Sequence, residues 1–487
     1  MRDLPDKMHL AMTLLKRGRG VRGKISAVRY LTRLAGRYIG RKIPFVGRII
    51  NRMGGWEDLR SESHSDIDQP TNVYRLELLQ FKLSKIPVKV DPSRPYTLNF
   101  FLPTIDPLVI FGGYIAALNL VKCLLDEGHR VRLISCEPTL TSKSALDAAM
   151  DKNRLLGEVL PRCEVYLRND RSKPIPFGPE DEFLSYSWET TRHAHSASQQ
   201  VNGKRVVFLI QEFEPIFHPL DSVHFLAAET YSLPHFALFN SSLLRDFFRD
   251  QKLGVFAPDS PDPEGLHAFF SHAITEISPP PRAELAARTT RKLLYYARPE
   301  SHAGRNLFEI GVMALNQAIE QGVFDERWEF TGIGSMSLSG HLALKHGRKL
   351  EMAKRMPLDE YQRFVSGHDV GLCLMYAPHP SVPPFEMASA GLPTVTTSFS
   401  NRPVEVMRAI TPNLLAAEPT IRSLVRSLEE AAARADDVDA RLAGAHFEKV
   451  CSWSQSFSPE LIARLPFRSP KASPSVSVPS RPLAART

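Results

Sequence analysis

A unit of strand, glycine turn, helix and strand occurs early in this chain and restricts its fold more than any other feature. Residues 96–105 (YTLNFFLPTI) predict a strand, residues 112–127 have the apolar spacing of a helix, and residues 130–136 predict a second strand. Two strands joined through a helix lie parallel, with helices covering the faces of the sheet. We therefore expect the first half of the chain to form a parallel α/β domain.

The same pattern begins again after a proline-rich stretch, residues 277–282 (ISPPPR), whose composition is typical of a stiff linker. Strands are predicted at 292–297 and 328–332, with a helix at 306–321 between them. A chain of 487 residues also exceeds what one hydrophobic core usually serves. The predicted fold class is α/β, with two Rossmann-like domains facing across a cleft. Open parallel sheets bind ligands at the carboxyl ends of their strands, so ligand contacts are expected in that cleft.

Positive charge is concentrated at the N-terminus. Met1–Gly55 holds 14 Lys and Arg against 2 Asp and Glu, whereas the remaining residues hold 47 against 51. The cations alternate with apolar side chains, which is typical of contact with an anionic membrane surface. A solvated basic tail stays open as an alternative. Only Tyr30, Tyr38 and Phe45 are aromatic here, too scattered to favour nucleic acid as a partner.

The chain has no apolar run of transmembrane length and no evident cleavable signal at Met1. Its five cysteines include no CxxC pair and no nearby His at metal-ligand spacing, which favours buried thiols in a reducing compartment. The predicted location is the cytoplasm, with peripheral contact to the inner membrane face through the basic N-terminus.

A pair of glycines, Gly112 and Gly113, stands between the first predicted strand and its helix. Glycine at this turn lets a ligand approach the backbone closely, and the helix N-terminus favours an anion. The GxGxxG fingerprint of dinucleotide-binding proteins is not present, which argues against a dehydrogenase. A plain strand-to-helix turn explains the pair equally simply.

Two arginines frame the corresponding loop of the second half. Arg298 follows the predicted strand, and Arg305 stands where the next helix is expected to begin. Guanidinium groups converging on a helix N-terminus can bind a diphosphate and stabilise the charge that develops on it as a leaving group. Two solvated surface arginines are the alternative.

Residues 379–397 (HPSVPPFEMASAGLPTVTT) form the most specific segment. Prolines 383 and 384 suit the start of a helix, which places Glu386 in its first turn facing the cleft. A carboxylate there offers the two adjacent acceptors that both ribose hydroxyls of a nucleotide require. A glutamate that only caps its own helix is the alternative.

These three loops together resemble the retaining GT-B glycosyltransferases of family 4, in particular the rhamnosyltransferases that build cell-surface glycans from dTDP-L-rhamnose. The resemblance covers about residues 96–457. It implies that Glu386 binds the nucleotide ribose, that Arg298 and Arg305 bind the phosphates and are catalytic together with Glu386, and that Gly112 and Gly113 form the glycine turn of the N-terminal domain. The first of the family's two motif glutamates is replaced by Pro378. His379 and Ser381, the latter at a position usually held by Gly, are expected to take over part of its donor contacts.

On the acceptor side, Glu212, Glu214 and His218 follow a predicted strand of the first domain and are expected to hold hydroxyl groups of the acceptor or the sugar. Structural or surface roles are the alternatives. The resemblance implies no dedicated protein base, because the leaving diphosphate can itself accept the proton of the attacking hydroxyl. It also implies no metal and no cofactor besides the nucleotide-sugar.

The predicted activity is transfer of a deoxyhexose to a hydroxyl group of a glycan acceptor. The resemblance implies that the sugar is L-rhamnose. The acceptor is expected to be a growing glycan, either free or linked to a lipid. A catalytically inactive GT-B scaffold that binds glycan is the main alternative, and a nucleotide-sugar epimerase is a weaker one. Five regions are predicted along the chain. They are a basic extension (residues 1–70), an acceptor-side domain (71–282), a domain that binds the nucleotide-sugar (283–440), a helix crossing back to the first domain (441–466) and a disordered tail (467–487).

Overall fold

The computed structural model describes residues 71–105, 112–137, 143–151, 153–167, 172–335, 338–354 and 356–469. The basic segment Met1–Gly55 and most of the predicted tail lie outside them. The chain divides into two compact units, Met1–Phe81 and Lys82–Thr487, and both large sheets belong to the second.

The first sheet has seven parallel strands, most of them buried on both faces, which explains why their sequences are apolar throughout and do not alternate. In space the order is β4-β3-β2-β6-β7-β8-β9. A separate two-stranded parallel sheet joins β1 to β5. The strands are β1 (Val88–Val90), β2 (Leu98–Leu102), β3 (Val131–Ser135), β4 (Glu164–Leu167), β5 (Ile175–Phe177), β6 (Glu182–Ser185), β7 (Val206–Ile210), β8 (His235–Asn240) and β9 (His267–Phe270).

One helix, α1 (Thr71–Leu83), precedes the first strand. The helices that follow connect the strands and cover the sheet: α2 (Gly112–Asp126), α3 (Lys143–Met150), α4 (Arg154–Val159), α5 (Trp188–Val201), α6 (Ser222–Thr230) and α7 (Ser242–Asp250).

The second sheet also has seven strands, in the order β12-β13-β11-β10-β14-β15-β16, and only the pair β12–β13 is antiparallel. Its strands are β10 (Arg291–Tyr296), β11 (Trp328–Ile333), β12 (Gly340–Ala343), β13 (Lys349–Met352), β14 (Val370–Leu372), β15 (Thr394–Thr397) and β16 (Leu414–Ala417). The helices are α8 (Arg282–Ala287), α9 (Phe308–Glu320), α10 (Leu358–Ser366), α11 (Pro383–Ser389), α12 (Val404–Ile410), α13 (Ile421–Arg434), α14 (Val438–Gly444), α15 (Trp453–Ser456) and α16 (Pro459–Arg464).

In each sheet the strand order reverses beside the first strand, between β2 and β6 in one and between β10 and β14 in the other. This is the Rossmann order, and the reversal opens a crevice at the carboxyl ends of the two central strands. The prediction of a GT-B-type α/β fold with two Rossmann-like domains is confirmed. Each reversal point therefore marks where a ligand is expected.

The end of the described chain packs on the first domain. Phe457 lies against Phe270 with ring centroids 4.7 Å apart and stacks on Trp453 at 5.8 Å. Ile462 and Leu465 are buried in the same core. In the structure the linker runs from the end of β9 to the start of α8, residues 271–281. The backbone N–H of Ile274, in this linker, donates to the Val450 carbonyl at 2.9 Å, so the outgoing and returning segments are hydrogen-bonded side by side.

Among the described residues, no helix is both long enough and apolar enough to cross a bilayer. The five cysteines all lie in the described part of the chain and are free thiols.

Candidate active site

Arg298 directly follows β10, at the reversal point of the second sheet. Its guanidinium donates to the Glu300 carboxylate at 2.9 Å and to the Tyr296 hydroxyl at 3.1 Å, and it lies 3.1 Å from Nε2 of His302. Glu300 in turn accepts from the Ser335 hydroxyl at 2.9 Å. The Arg298 guanidinium is thus oriented by an anchored carboxylate.

Arg305 lies in a 3-10 turn, Ser301–Asn306, that leads into α9. One Nη atom donates to the His302 carbonyl at 3.1 Å, and the guanidinium carbon lies 4.4 Å from the ring centroid of Phe217, in the other domain. Its Nε is buried without a hydrogen-bond partner among the described residues. Burial lowers the pKa of Arg305, and the nearby Glu212 opposes this shift. A buried cation with an unused donor is suited to an anionic ligand.

The N-terminus of α9 adds donors beside these arginines. Its N-cap residue, Leu307, has a left-handed backbone (φ +49°), and no side chain caps the helix. The first N–H groups of a helix have no partner within the helix and attract anions. The prediction that this helix begins at 306 was close; the 3-10 turn occupies the residues before it.

Glu386 lies in the first turns of α11 and is only 6% exposed. One carboxylate oxygen accepts from the Thr275 backbone N–H at 2.9 Å, and the other accepts from the Tyr361 hydroxyl at 2.8 Å. These contacts connect it to the linker and to α10, not to the N–H groups of its own helix. The geometry therefore does not favour the alternative that Glu386 only caps its own helix.

His379 and Ser381 lie in the loop between β14 and α11. Nδ1 of His379 accepts from the Ser381 N–H at 3.1 Å, which puts the proton of the neutral ring on Nε2. Burial lowers the pKa of His379 to about 3, helped by His272 and two arginines, so the ring is neutral at physiological pH. Ser381 has φ +69°, a conformation that glycine adopts easily and serine rarely.

Arg402 holds this loop in place and was not anticipated from the sequence. Its guanidinium is fully buried and donates to the carbonyls of Met375, Ala377 and Thr397. Asn401 donates to the Pro378 carbonyl at 3.3 Å and, across the cleft, to the Leu243 carbonyl at 2.7 Å. The backbone at Pro378, where the motif glutamate is lost, is therefore fixed by neighbours.

From the first domain, Glu212 reaches the second. Its Oε1 accepts from the Phe213 N–H at 3.0 Å and from the His379 N–H at 3.2 Å. Burial raises the pKa of Glu212 to about 7, although Arg305, Arg402 and the two N–H donors favour the charged form. The structure thus brings this predicted residue directly onto a predicted donor loop.

Glu214 has a different environment. Both its oxygens accept from the Trp188 backbone N–H, at 3.1 and 3.2 Å, at the start of α5. Its own N–H bonds to the Tyr231 hydroxyl at 3.2 Å. Burial raises the pKa of Glu214 to about 8. These contacts favour helix capping over the predicted contact with an acceptor. His218 is half-buried after the same turn, with its N–H on the Pro215 carbonyl at 3.2 Å.

The two glycines at the start of α2 differ in their surroundings. A Cβ on Gly113 would overlap the Tyr186 hydroxyl, and its carbonyl accepts from Gln211 at 3.1 Å. A Cβ on Gly112 would meet no atom within 4 Å. Only Gly113 is thus required by packing, and the reason is a tyrosine stacked on Tyr114 at 4.9 Å.

Further polar side chains extend from this turn along the strand ends. Asn240 donates to the Gln211 side chain at 2.8 Å and lies 3.0 Å from Nδ1 of His272. Burial lowers the pKa of His272 to about 4. No local motif marks these residues, because they are brought together by sheet order alone.

Among the described residues, no cluster of three or more His, Cys, Asp or Glu side chains is arranged to hold a metal ion.

The fold and these side chains define a two-domain Rossmann-like protein with a charged cleft between its sheets. Among solved structures, HepE of Anabaena in complex with UDP-glucose is 12% identical, with a TM-score of 0.49, over 76% of this chain and 97% of that one. Sucrose-phosphate synthase of Thermosynechococcus elongatus is 12% identical, with a TM-score of 0.47, over 72% and 92%.

The O-antigen biosynthesis protein RfbC of Myxococcus xanthus is 27% identical over 263 residues, which is 52% of this chain. The chain spans only 18% of the length of that relative. Family models of the two WsaF domains also match: the N-terminal domain at residues 97–242 and the C-terminal domain at residues 291–429. The chain therefore carries both WsaF domains, one on each sheet, and these matches point to a glycosyltransferase.

Proposed function

We propose that this protein transfers L-rhamnose from dTDP-L-rhamnose to a hydroxyl group of a glycan during synthesis of a cell-surface polysaccharide. The observation that carries the proposal is the buried, incompletely bonded guanidinium of Arg305 at the reversal point of a sheet that matches a WsaF domain. RfbC, by its name a protein of O-antigen biosynthesis, and the WsaF family of rhamnosyltransferases support the choice of pathway and sugar.

The donor diphosphate is assigned to Arg298, Arg305 and the uncapped N-terminus of α9. All three lie on the loop that follows β10, so one anion can meet them together. Nε of Arg305 is the free donor there. Negative charge on the diphosphate increases as it leaves the sugar, so charge-assisted bonds of this kind stabilise the transition state more than the bound donor. This difference lowers the barrier to transfer.

The nucleotide ribose is assigned to Glu386, and the rest of the donor to His379, Ser381 and the backbone at Gly112 and Gly113. Ribose hydroxyls would add to, or replace, the Thr275 and Tyr361 donors that Glu386 now accepts. Nε2–H of the neutral His379 is a donor suited to a sugar or phosphate oxygen.

The acceptor is assigned to the first-domain side, at Glu212 and His218, with Glu214 supporting the turn on which both lie. In the transfer step the bond between the sugar C1 and the diphosphate oxygen breaks, and a bond from C1 to the acceptor oxygen forms on the same face. The hydroxyl proton passes to the departing diphosphate. Positioning and charge stabilisation then supply catalysis without a covalent nucleophile or a metal.

The basic segment Met1–Gly55 completes the proposal as an attachment to an anionic membrane surface, where a lipid-linked acceptor would be presented. The protein would then act at the cytoplasmic face of the membrane.

Calorimetric titration of the full chain with dTDP, UDP and GDP tests the donor assignment. We expect one nucleotide to bind, and the double variant Arg298→Ala, Glu386→Ala to weaken that binding at least about tenfold, since each lost charge-assisted bond costs roughly 1.5–3 kcal/mol. Arg408→Ala is the control, because Arg408 of α12 pairs with Glu430 of α13 at the surface.

Incubation with dTDP-L-rhamnose and a glycan acceptor, followed by NMR of the product, tests donor sugar and retention. A folded wild type that binds no nucleotide would refute the proposal in favour of the glycan-binding scaffold.

A further inference from the structure

The turn after β7 contacts the second domain at two of the proposed donor loops. Glu212 accepts a hydrogen bond from the His379 N–H at 3.2 Å. Phe217, five residues on, lies with its ring centroid 4.4 Å from the guanidinium carbon of Arg305. The first domain thus contacts the proposed donor site at the His379 loop and at the Arg305 guanidinium.

Phe217 is a partly exposed aromatic side chain, with 36% of its surface accessible, and its ring faces the second domain at Arg305. A guanidinium over an aromatic face is attracted to the ring and held parallel or tilted to it, while its N–H edges stay available for an anion. Nε of Arg305 is buried and has no hydrogen-bond partner among the described residues.

Glu212 acts at the other end of the turn. By accepting the His379 N–H, it holds the start of the segment that ends in the left-handed Ser381. The carboxylate also faces the positive charges of Arg305 and Arg402. The turn therefore restrains the two loops that the donor must contact at the same time.

We infer that Phe217 is a positioning residue of the donor site: it presents the Arg305 guanidinium to the diphosphate from across the cleft, so that the phosphate site is complete only when both domains are in contact. This inference rests on the proposed function, since it assigns Arg305 to the donor. It adds a residue of the acceptor-side domain to the binding of the donor.

The test is Phe217→Leu, which keeps an apolar side chain of similar size and removes the aromatic face. We expect dTDP binding, measured by calorimetry on the full chain, to weaken about 3- to 10-fold, the equivalent of one cation–π contact. The KM for the donor should rise more than kcat falls. Phe217→Tyr should restore binding, because it restores the ring.

Phe225→Leu is the matched control, because Phe225 lies on α6 of the same domain and is 62% exposed. A second measurement is the pair with Arg305→Ala, in whose background Phe217→Leu should have no further effect on binding. If Phe217→Leu fails to fold, Phe217→Met takes its place, both alone and in the Arg305→Ala background, because it also removes the aromatic ring.

The outcomes separate the inference from the proposed function. Unchanged dTDP affinity in Phe217→Leu, with a wild type that binds, overturns the inference alone. An equal loss in the Arg305→Ala background does so too, since it shows that the ring acts elsewhere. No nucleotide binding to the wild type overturns both.

Discussion

At the scale of single residues, the cleft contains ionisable groups whose burial opposes their charge. Glu212 and Glu214 have pKa values raised to about 7 and about 8, and His272 and His379 have values lowered to about 4 and about 3. A carboxyl group whose pKa is raised by folding stabilises the folded state at low pH, whereas a histidine whose pKa is lowered by folding stabilises it at high pH. Their effects on stability therefore oppose each other.

The contribution of Glu214 can be isolated by Glu214→Gln. Burial raises the pKa of Glu214 from 4.5 to about 8, so the folded state binds a proton more tightly than the unfolded chain does. The stability this provides is present below pH 4.5 and is lost as the pH rises through 8. Relative to wild type, the glutamine variant should gain about 3 kcal/mol in free energy of unfolding between pH 5 and pH 8.

Urea unfolding at the two pH values measures this difference. The control is Glu264→Gln, at a surface glutamate paired with Arg249. Its free energy of unfolding should differ little from that of the wild type at both pH 5 and pH 8. A difference in free energy of unfolding between wild type and Glu214→Gln that stays the same from pH 5 to pH 8 would contradict the prediction.

The sequence predicted the side chains that a local signal marks, and it did not predict their partners from elsewhere in the chain. Arg298 and Glu212 could be predicted because a strand followed by a short loop fixes where the next residues lie. Glu386 could be predicted because Pro383 and Pro384 mark the start of its helix. Tyr361 and Thr275 bond to Glu386 from another helix and from the linker. Such partners depend on tertiary packing, which no local pattern encodes.

At the scale of secondary-structure elements, the start of α2 is the sharpest case of a residue fixed by its neighbour. A Cβ on Gly113 would overlap the Tyr186 hydroxyl, whereas Gly112 faces open space. Gly113→Ala should therefore lower the free energy of unfolding by about 1–3 kcal/mol, the usual range for overpacking. Gly112→Ala should be tolerated.

Denaturant unfolding of both variants checks this prediction. Removing the hydroxyl by Tyr186→Phe should recover part of the loss in the Gly113→Ala background. Equal stability of the two alanine variants would show that the turn adjusts without cost.

Element prediction worked best in the sheet centres and worst at their margins. The buried strands β2, β3, β7 and β8 are apolar throughout, which is the pattern of parallel strands covered on both faces. The strands β1, β5, β9 and β12 were missed: β1 and β5 pair with each other outside the main sheet, and β9 and β12 are edge strands. Edge strands lack the two-sided burial that makes a strand recognisable.

At the scale of the whole molecule, the two Rossmann-like domains meet through aromatic and polar contacts beside the cleft. The Phe399 ring lies 6.0 Å from Phe247 of the first domain and 4.9 Å from Tyr376 of its own. Asn401 donates to the Leu243 carbonyl nearby. These contacts hold the two domains together beside the cleft.

Phe399→Ala should loosen this contact and open the cleft. We expect the radius of gyration from solution scattering to increase by about 1–2 Å over the roughly 23 Å of a compact chain of this length. Saturating nucleotide should reverse the change, since a donor bound by one domain and restrained by the other favours the closed form.

Leu358→Ala, at a side chain 62% exposed on α10, is the control and should leave the profile unchanged. A Phe399→Ala profile identical to that of the wild type, with and without nucleotide, would show that the remaining contacts suffice.

The hydrogen bond from Thr275 to Glu386 has a consequence for how this protein changes over evolution. One carboxylate serves both the connection between the domains and the proposed ribose contact. If the ribose hydroxyls and the Thr275 N–H compete for this carboxylate, then a substitution that weakens the Thr275 bond strengthens nucleotide binding, because the coupling between the two contacts is reciprocal. Selection could therefore adjust how tightly the donor is held through changes in the linker alone, leaving every side chain that touches the sugar as it is.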